Sequence, residues 1–268
     1  MRVRNGMGRR ARRIVIVVLG IAAAAAAFGQ DRDRDYFGGR REPYVEPTSN
    51  TPYDGRVNFV RIRYQMSFSG GFGRRGGEPP WAHDYPTADT HLMKILNELT
   101  FLRPRVEGSN VFSLADPELH DYPIAYMSEP GFWMADEAEA KGLREYLLKG
   151  GFIIFDDFRD WDWDNLVEQM RRVLPAAQWV ELDSSHPIFH SFFEIDDLSY
   201  LISYGSRMPT YWGIFEENDR NRRLIALANR DNDLGEYWEF SDTGYAPVDL
   251  SNEAYKFGVN YFVYGLTH

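Results

Sequence analysis

The sequence predicts an α/β fold in which helices cover both faces of a mainly parallel sheet. Short apolar, β-rich runs alternate along the chain with segments whose apolar residues recur at helical spacing. This alternation is typical of parallel sheets, because each return to the same edge of the sheet uses a crossover helix. The composition also supplies a core, since 44% of the 268 residues are hydrophobic and 15% are aromatic.

The first two predicted strands enclose an amphipathic helix. The β-rich run Val57–Phe68 alternates in part between apolar and polar residues and predicts the first strand. The helix that follows has Thr87 or Asp89 as its N-cap. Its apolar face, at i, i+3, i+4 and i+7, consists of Leu92, Ile95, Leu96 and Leu99. The run "IAYMS", which starts at Ile124, predicts a buried strand.

The next helix has clear boundary signals. Asp136 and Glu139 have capping-box spacing, and the helix presents Leu143, Tyr146 and Leu147 on its apolar face. Two glycines end this helix, and "FIIFDD" predicts the strand after it.

Further elements complete the predicted order. Asp164 is predicted to cap a helix that ends at Pro175, and "QWVEL" predicts a strand after it. Later strands are predicted at Tyr211–Phe215 and Leu224–Leu227. Ser251 is the predicted cap of a C-terminal helix.

The chain divides into three predicted regions. Residues 1–30 have a basic start and an apolar run, Ile14–Phe28, which favours a cleaved signal peptide or a retained N-terminal membrane anchor. Residues 31–56 are rich in proline, glycine and charge and predict a disordered polar tether. Residues 57–268 predict a single α/β domain. We therefore expect an exported protein of the periplasm or cell envelope, held in the inner membrane if the first segment is retained.

Charge and cysteine content exclude several function classes. The formal net charge is −10, and it becomes −16 without residues 1–30, because that segment contains six arginines and no acid. Nucleic acid is excluded as a partner, since its binding depends on phosphate neutralisation by lysine and arginine. The sequence has no cysteine, which excludes thiolate nucleophiles, disulfides and cysteine-ligated metals.

The loop "GFGRRG", Gly71–Gly76, matches the letters of a dinucleotide-binding motif without its context. That site requires the last glycine to open a helix. Pro79 and Pro80 follow instead, so we interpret the segment as a surface loop with Arg74 and Arg75 available to an anion.

Asp156 and Asp157 are the main candidates for chemistry. They end an apolar run, and ligands of open α/β sheets bind just beyond the carboxyl ends of the strands. Both are candidate catalytic residues and candidate ligands of a divalent cation. The alternative is a pair of solvated acids that shields the strand end. His186 is the candidate acid–base partner, although a histidine before proline in a loop is more often structural.

Asp160, Asp162 and Asp164 have the spacing that opens a calcium-binding loop. The sixth position is Asn165 rather than glycine, and the twelfth is Arg171 rather than glutamate. An EF-hand is therefore rejected.

Further residues are candidates for ligand binding: Trp81, His83, Trp161, Asp231 and Trp238. Trp81 and His83 lie on a predicted loop before the first helix. Asp231 lies in "ANRDND", which predicts an acidic turn, with a cation site as the alternative. The tryptophans suit stacking on a carbohydrate, but they are equally suited to a core.

Several stretches of the chain resemble the bacterial DUF4159 family, a domain of unknown function. They are "RIRY", "LREYLLKGGFIIFDDF", "HPIF", "YWGIFEENDRNRRLIALANRDNDLGEYWE" and "AYKFGVNYFVYGL", and the resemblance spans Val57–His268. More remotely, the helix–Gly-Gly–strand unit and "HPIFHSFFEIDDLSYL" are similar to trehalose-utilisation-type proteins of the class I glutamine amidotransferase-like superfamily. That similarity implies a flavodoxin-like three-layer sandwich. It does not imply glutaminase activity, because those enzymes use a cysteine nucleophile.

Three functional hypotheses follow. The preferred one is an exported domain that binds a carbohydrate or another envelope ligand, or a protein partner in a membrane complex, because a fold alone does not imply a reaction. The second is a hydrolase that uses Asp156, Asp157 and His186, with a divalent cation as its candidate cofactor. It predicts that these side chains converge in one site. The third is a structural component of an envelope complex.

Overall fold

The computed structural model describes residues 44, 46–47, 49–66, 78–203, 205 and 207–268. The predicted signal or anchor segment, most of the predicted tether and the "GFGRRG" loop lie outside these residues. Among the helices of the described residues, none combines the length and the hydropathy needed to cross a membrane.

The described residues form one seven-stranded sheet. Its strands are β1 (Val60–Ile62), β2 (Asn110–Phe112), β3 (Ile124–Ser128), β4 (Phe152–Phe158), β5 (Val180–Leu182), β6 (Thr210–Phe215) and β7 (Leu224–Arg230). The spatial order is β2-β1-β3-β4-β7-β6-β5. Strands β1 to β4 and β7 are parallel, whereas β6 and β5 add in antiparallel register. The predicted mainly parallel sheet is confirmed, and the "QWVEL" segment contributes an antiparallel edge strand.

Five α-helices of the described residues pack in two groups. They are α1 (Thr87–Leu99), α2 (Glu137–Leu148), α3 (Asp160–Val173), α4 (Leu234–Glu239) and α5 (Val248–Thr267). Helices α2 and α3 pack together, and α1, α4 and α5 form the other group. Phe155 of β4 shares a core with α2 and α3, whereas Phe152 contacts Tyr264 of α5. Side chains three positions apart on a strand point to opposite faces, so the helices enclose the sheet in three layers. This confirms the α/β class and is compatible with a flavodoxin-like sandwich.

Two helices begin earlier than their predicted caps. Helix α3 starts at Asp160 rather than after Asp164, because Asp162 accepts a hydrogen bond from the backbone N–H of Arg159 at 3.0 Å. Helix α5 starts at Val248, and Ser251 is buried inside it. The cap of α2 is confirmed, since Asp136 accepts from the backbone N–H of Glu139 at 2.8 Å.

The end of the predicted tether packs against the edge strand β2. The Asn50 side chain donates to the carbonyl oxygen of Val111 at 2.7 Å and accepts from its N–H at 2.7 Å. The N–H of Thr51 donates to the side chain of Asn110 at 2.9 Å. The tether prediction therefore does not hold for these residues. Strand β2 was not predicted, because three residues show no period.

Candidate metal centre

The carboxyl ends of three neighbouring strands carry acids with a left-handed backbone. Glu129 follows β3 with φ 47°, Asp157 lies near the end of β4 with φ 56°, and Asp231 follows β7 with φ 57°. Asp84, in the loop before α1, has φ 65°. Non-glycine residues are uncommon in this region, and Asp and Asn tolerate it best. These bends place acids at the edge where open α/β sheets bind ligands.

His83 contacts four of the carboxylates at this edge. Its Nδ1 lies 2.5 Å from Oδ2 of Asp157 and 3.7 Å from Oε1 of Glu129. Its Nε2 lies 3.5 Å from Oδ1 of Asp84 and 3.7 Å from Oε2 of Glu236. All five side chains are at most 6% exposed. The short contact with Asp157 is a charge-assisted hydrogen bond, which fixes the orientation of the imidazole ring.

Two groups of side chains have the spacing of metal ligands. The first group consists of His83, Asp84, Asp157 and Asp233, and the second consists of Asp84, Glu236 and Glu239. Within each group, one ligand atom from each residue lies within 4.8 Å of all the others. Burial, together with the negative charges of Asp157 and Asp84, raises the pKa of Asp233 well above its usual value. A divalent cation among these oxygens would stabilise the ionised carboxylates.

Arg61 fixes the loop that carries His83. Its guanidinium is buried and pairs with Asp89 of α1, with Nη2 lying 2.5 Å from Oδ1. Nη1 donates to the carbonyl oxygens of His83 at 2.7 Å and Trp81 at 3.3 Å. Asp89 is therefore the partner of a buried charge rather than the predicted helix cap. This charged network holds the backbone of the loop at the carboxyl edge of the sheet.

Helix α4 supplies the remaining acids. Asp233 is its N-cap, and Oδ1 of Asp233 accepts from the backbone N–H of Glu236 at 3.0 Å. Glu236 and Glu239 are three residues apart and share one face of the helix. The glycine at position 235 allows a close approach of Asp84, because a Cβ there would lie 2.5 Å from Oδ2 of Asp84 and would displace that carboxylate. The acidic turn predicted after β7 is present at Asp231, and a helix that carries candidate ligands follows it at Leu234.

Asp156 holds the start of α4 and belongs to neither ligand group. Its Oδ2 accepts from the backbone N–H groups of Leu234 at 2.9 Å and Gly235 at 3.1 Å, and from the hydroxyl of Tyr126 at 2.8 Å. Its Oδ1 accepts from the side chain of Asn229 at 2.9 Å. Burial raises the pKa of Asp156 to about 7, although the hydrogen bonds oppose the shift. The two adjacent acids therefore differ in role, because only Asp157 points its carboxylate at the candidate ligands.

We predict that Asp156 lowers the stability of the domain as the pH rises. Its folded pKa of about 7 exceeds the ordinary value of 3.8, so between these values the folded state binds more protons than the unfolded state. The free energy of unfolding therefore falls as the pH rises from 3.8 to about 7, and the decrease is at most about 4 kcal/mol. Urea unfolding at both ends of this pH range should show a smaller decrease in the free energy of unfolding for Asp156→Asn than for the wild type.

The comparison between the two proteins isolates Asp156. Burial lowers the pKa of His186 to about 4, which gives a pH dependence of opposite sign, but this contribution is common to both proteins. Equal pH dependence in wild type and Asp156→Asn would contradict the prediction.

His186 lies near the amino-terminal end of β7, at the other end of the sheet from the carboxyl ends of the parallel strands. Its ring centroid is 5.6 Å from that of Phe215 and 5.8 Å from that of Tyr264. Phe215 pairs with Leu224 at the start of β7, whereas Asp157 lies near the end of the parallel strand β4. A seven-residue strand spans roughly 20 Å. The predicted pairing of His186 with the two acids therefore has no geometric support, and the histidine at the acidic edge is His83.

The remaining predicted binding residues are dispersed. Trp81 and Trp238 are buried at 4% and 1% exposure and fill the core, whereas Trp161 is 64% exposed on the first turn of α3. Asp231 lies 3.7 Å from the guanidinium groups of both Arg207 and Arg230. It belongs to neither ligand group. No shared pocket wall of tryptophans follows from this arrangement.

The sequence predicts His83 as a binding residue and Asp157 as a catalytic residue or metal ligand, but it does not predict that the two lie in one site. Glu236 and Glu239 are not among the predicted residues. The available signal was the Asp233–Glu236 spacing of a capping box directly after a strand, which marks a helix start. The convergence of this helix with the loop before α1 has no local signal, because the two segments lie far apart in the sequence.

A comparison with known families covers nearly the whole described fold. The family model described as "Domain of unknown function (DUF4159)" matches residues 58–266. This range includes every residue of both ligand groups. Among the curated proteins, none matches the chain.

Proposed function

Because the chain belongs to the DUF4159 family, whose description assigns no function, we propose a function from the site itself: the domain binds a divalent metal ion and uses it for hydrolysis. The observation that carries this proposal is the first ligand group, in which an imidazole and three carboxylates converge within 4.8 Å. Its position at the carboxyl edge of an open α/β sheet agrees with the usual place of ligand sites in such folds.

The donor set favours Mn²⁺, Fe²⁺ or Zn²⁺. Imidazole is a good ligand for these ions, whereas Mg²⁺ and Ca²⁺ prefer oxygen donors alone. Nδ1 of His83 is held by Asp157, whereas Nε2 faces Asp84 and Glu236, so Nε2 is the nitrogen available to an ion and Asp157 fixes the ring that carries it. A bound ion of this class supplies Lewis-acid polarisation and a nucleophilic water at neutral pH.

The surrounding residues have positioning roles in this proposal. Arg61 holds the carbonyl of His83, and Asp156 holds the backbone of α4 through Leu234 and Gly235. Preorganised ligands of this kind lower the entropy lost when an ion binds. The rigid loop and the rigid helix start therefore favour selective binding over non-specific attraction to an acidic surface.

Thermal melting of the full chain in EDTA, and then with Mn²⁺, Zn²⁺, Mg²⁺ or Ca²⁺, tests the proposal. We expect Mn²⁺ or Zn²⁺ to stabilise the fold by about 2.7 kcal/mol at a hundredfold excess over Kd. The loaded protein should hydrolyse p-nitrophenyl acetate or p-nitrophenyl phosphate faster than the EDTA-treated protein. The His186→Gln variant is the matched control and should retain both effects. Absence of any shift with all four ions would contradict metal binding.

An exported ligand-binding domain is the second candidate. Trp161 and Met208 are 64% and 52% exposed, and each directly follows a member of the ion pair between Asp160 and Arg207. An exposed tryptophan beside polar groups suits carbohydrate stacking. Trp161→Ala should then weaken oligosaccharide binding and leave hydrolysis unchanged. Export itself is proposed from residues 1–30, and N-terminal sequencing of the protein in envelope fractions tests it.

A further inference from the structure

We propose that the site holds two divalent ions and that Asp84 is the ligand shared between them. The inference rests on the proposed function and extends it by a second ion, which Glu236 and Glu239 would hold together with Asp84. Asp84 is the residue common to both ligand groups, and the ligand atoms of each group lie within 4.8 Å of one another.

The two oxygens of Asp84 face different sets of partners. Oδ1 lies 3.5 Å from Nε2 of His83, in the first ligand group. Oδ2 is directed at the start of α4, where it lies 2.5 Å from the place that a Cβ of Gly235 would occupy. One carboxylate whose oxygens face separate ligand sets is the arrangement of a bridging ligand. Oδ1 would belong to the first ion and Oδ2 to the second.

The two ligand groups are in direct contact. Nε2 of His83, in the first group, lies 3.7 Å from Oε2 of Glu236, in the second group. Ions in two-metal sites lie about 3.5–4 Å apart, so two ions that share a site need adjoining ligand groups of this kind. The imidazole also distinguishes this centre from a purely acidic cluster, because it is a donor of the type that transition metals prefer.

Ser128 provides an independent observation on the same side of the sheet. It is fully buried at the end of β3, and its Oγ has no hydrogen-bond partner within the described part of the chain. It lies on the face of β3 that also carries Tyr126, whose hydroxyl lies 3.0 Å from the Cβ position of Gly235. A buried hydroxyl without a partner is unfavourable. A polar group added on this face of the sheet, such as a water molecule, would satisfy it.

The charge of the cluster favours two ions over one. Five carboxylates belong to the two ligand groups, from Asp84, Asp157, Asp233, Glu236 and Glu239. When all five are ionised as ligands, one divalent ion offsets two of the negative charges and a second offsets four. Like charges at this separation and burial repel strongly, so each added cation stabilises the remaining ionised oxygens. Two adjacent ions would suit a substrate that offers an oxyanion, such as a phosphate ester, because both ions contact the same anionic group.

Metal content and electron paramagnetic resonance of the Mn²⁺-loaded full chain test this proposal. We expect two Mn²⁺ per chain with a spectrum broadened by exchange through the shared carboxylate. Glu239→Gln should reduce the content to one Mn²⁺ and give the resolved hyperfine pattern of an isolated ion. Glu168→Gln, which changes an exposed glutamate on α3, is the matched control and should retain two coupled ions.

The outcomes separate this inference from the proposed function. One Mn²⁺ per wild-type chain would overturn the second ion and leave the proposed function intact, whereas no bound Mn²⁺ would overturn both. Two ions without exchange coupling would overturn the bridging role of Asp84. If circular dichroism shows that Glu239→Gln does not fold, Glu236→Gln makes the same test at the other ligand of the second ion.

Discussion

The Asp84→Asn variant is expected to lose metal binding at both ligand groups while its ion-free fold is at least as stable as the wild type. Asparagine tolerates the backbone angle of φ 65° at this position. It removes one negative charge from a buried cluster, which reduces repulsion in the ion-free protein. Thermal melting should show an equal or higher Tm in EDTA and no increase with Mn²⁺, so that the whole stabilisation of about 2.7 kcal/mol at a hundredfold excess is lost.

Asp164→Asn is the matched control for this prediction. Asp164 is exposed on α3 and belongs to neither ligand group. The control should keep the full response to Mn²⁺. An Asp84→Asn protein that still gains stability from Mn²⁺ would show that the ion binds elsewhere on this acidic chain.

Replacement of Arg61 by methionine is expected to destabilise the domain by about 3–5 kcal/mol, because it leaves Asp89 charged and buried without its guanidinium partner. Urea unfolding measures the loss. Arg171→Met is the matched control, since Arg171 pairs with Glu168 on an exposed surface and should change stability by less than about 1 kcal/mol.

The double variant Arg61→Met/Asp89→Leu separates the stability of the charge pair from its positioning role. Apolar replacement of both partners should restore most of the lost stability. It should not restore Mn²⁺ affinity, because the loop of His83 loses the two hydrogen bonds from Nη1 of Arg61 to its backbone. A double variant with wild-type Mn²⁺ affinity would contradict the positioning role.

Local patterns predict those parts of the fold whose cause is local. The apolar runs predict β3 and β4, and the capping-box spacing at Asp136 predicts the start of α2. These elements are predictable because each one depends on residues within a single strand or a single helical turn. The cap predicted at Asp89 failed for the opposite reason. Asp89 pairs with Arg61, which lies in another element, and this contact overrides the local capping preference.

The candidate site was only partly predictable for the same reason. Asp157 was found because the end of a strand is visible in the sequence. The sequence predicts His186 as the partner of Asp157. The position of His186 depends on the antiparallel pairing of β6 with β7, and the apolar pattern of a strand does not show in which direction the strand runs. The true neighbour, His83, lies in an irregular loop that Arg61 fixes through buried hydrogen bonds. Such convergence is a property of the assembled sheet rather than of any one segment.

The Asn50 side chain also has a consequence for solubility. On the open side of β2, the N–H and the carbonyl of Val111 are both hydrogen-bonded to the side-chain amide of Asn50. This asparagine therefore takes the place of a neighbouring strand at Val111. Unbonded edge strands are templates for pairing with a second molecule and for aggregation. Residues before β1 therefore cover the edge strand β2 and keep it from pairing with a second molecule. A protein shortened to begin at residue 57 would expose that edge and self-associate, although it would retain the whole range matched by the family.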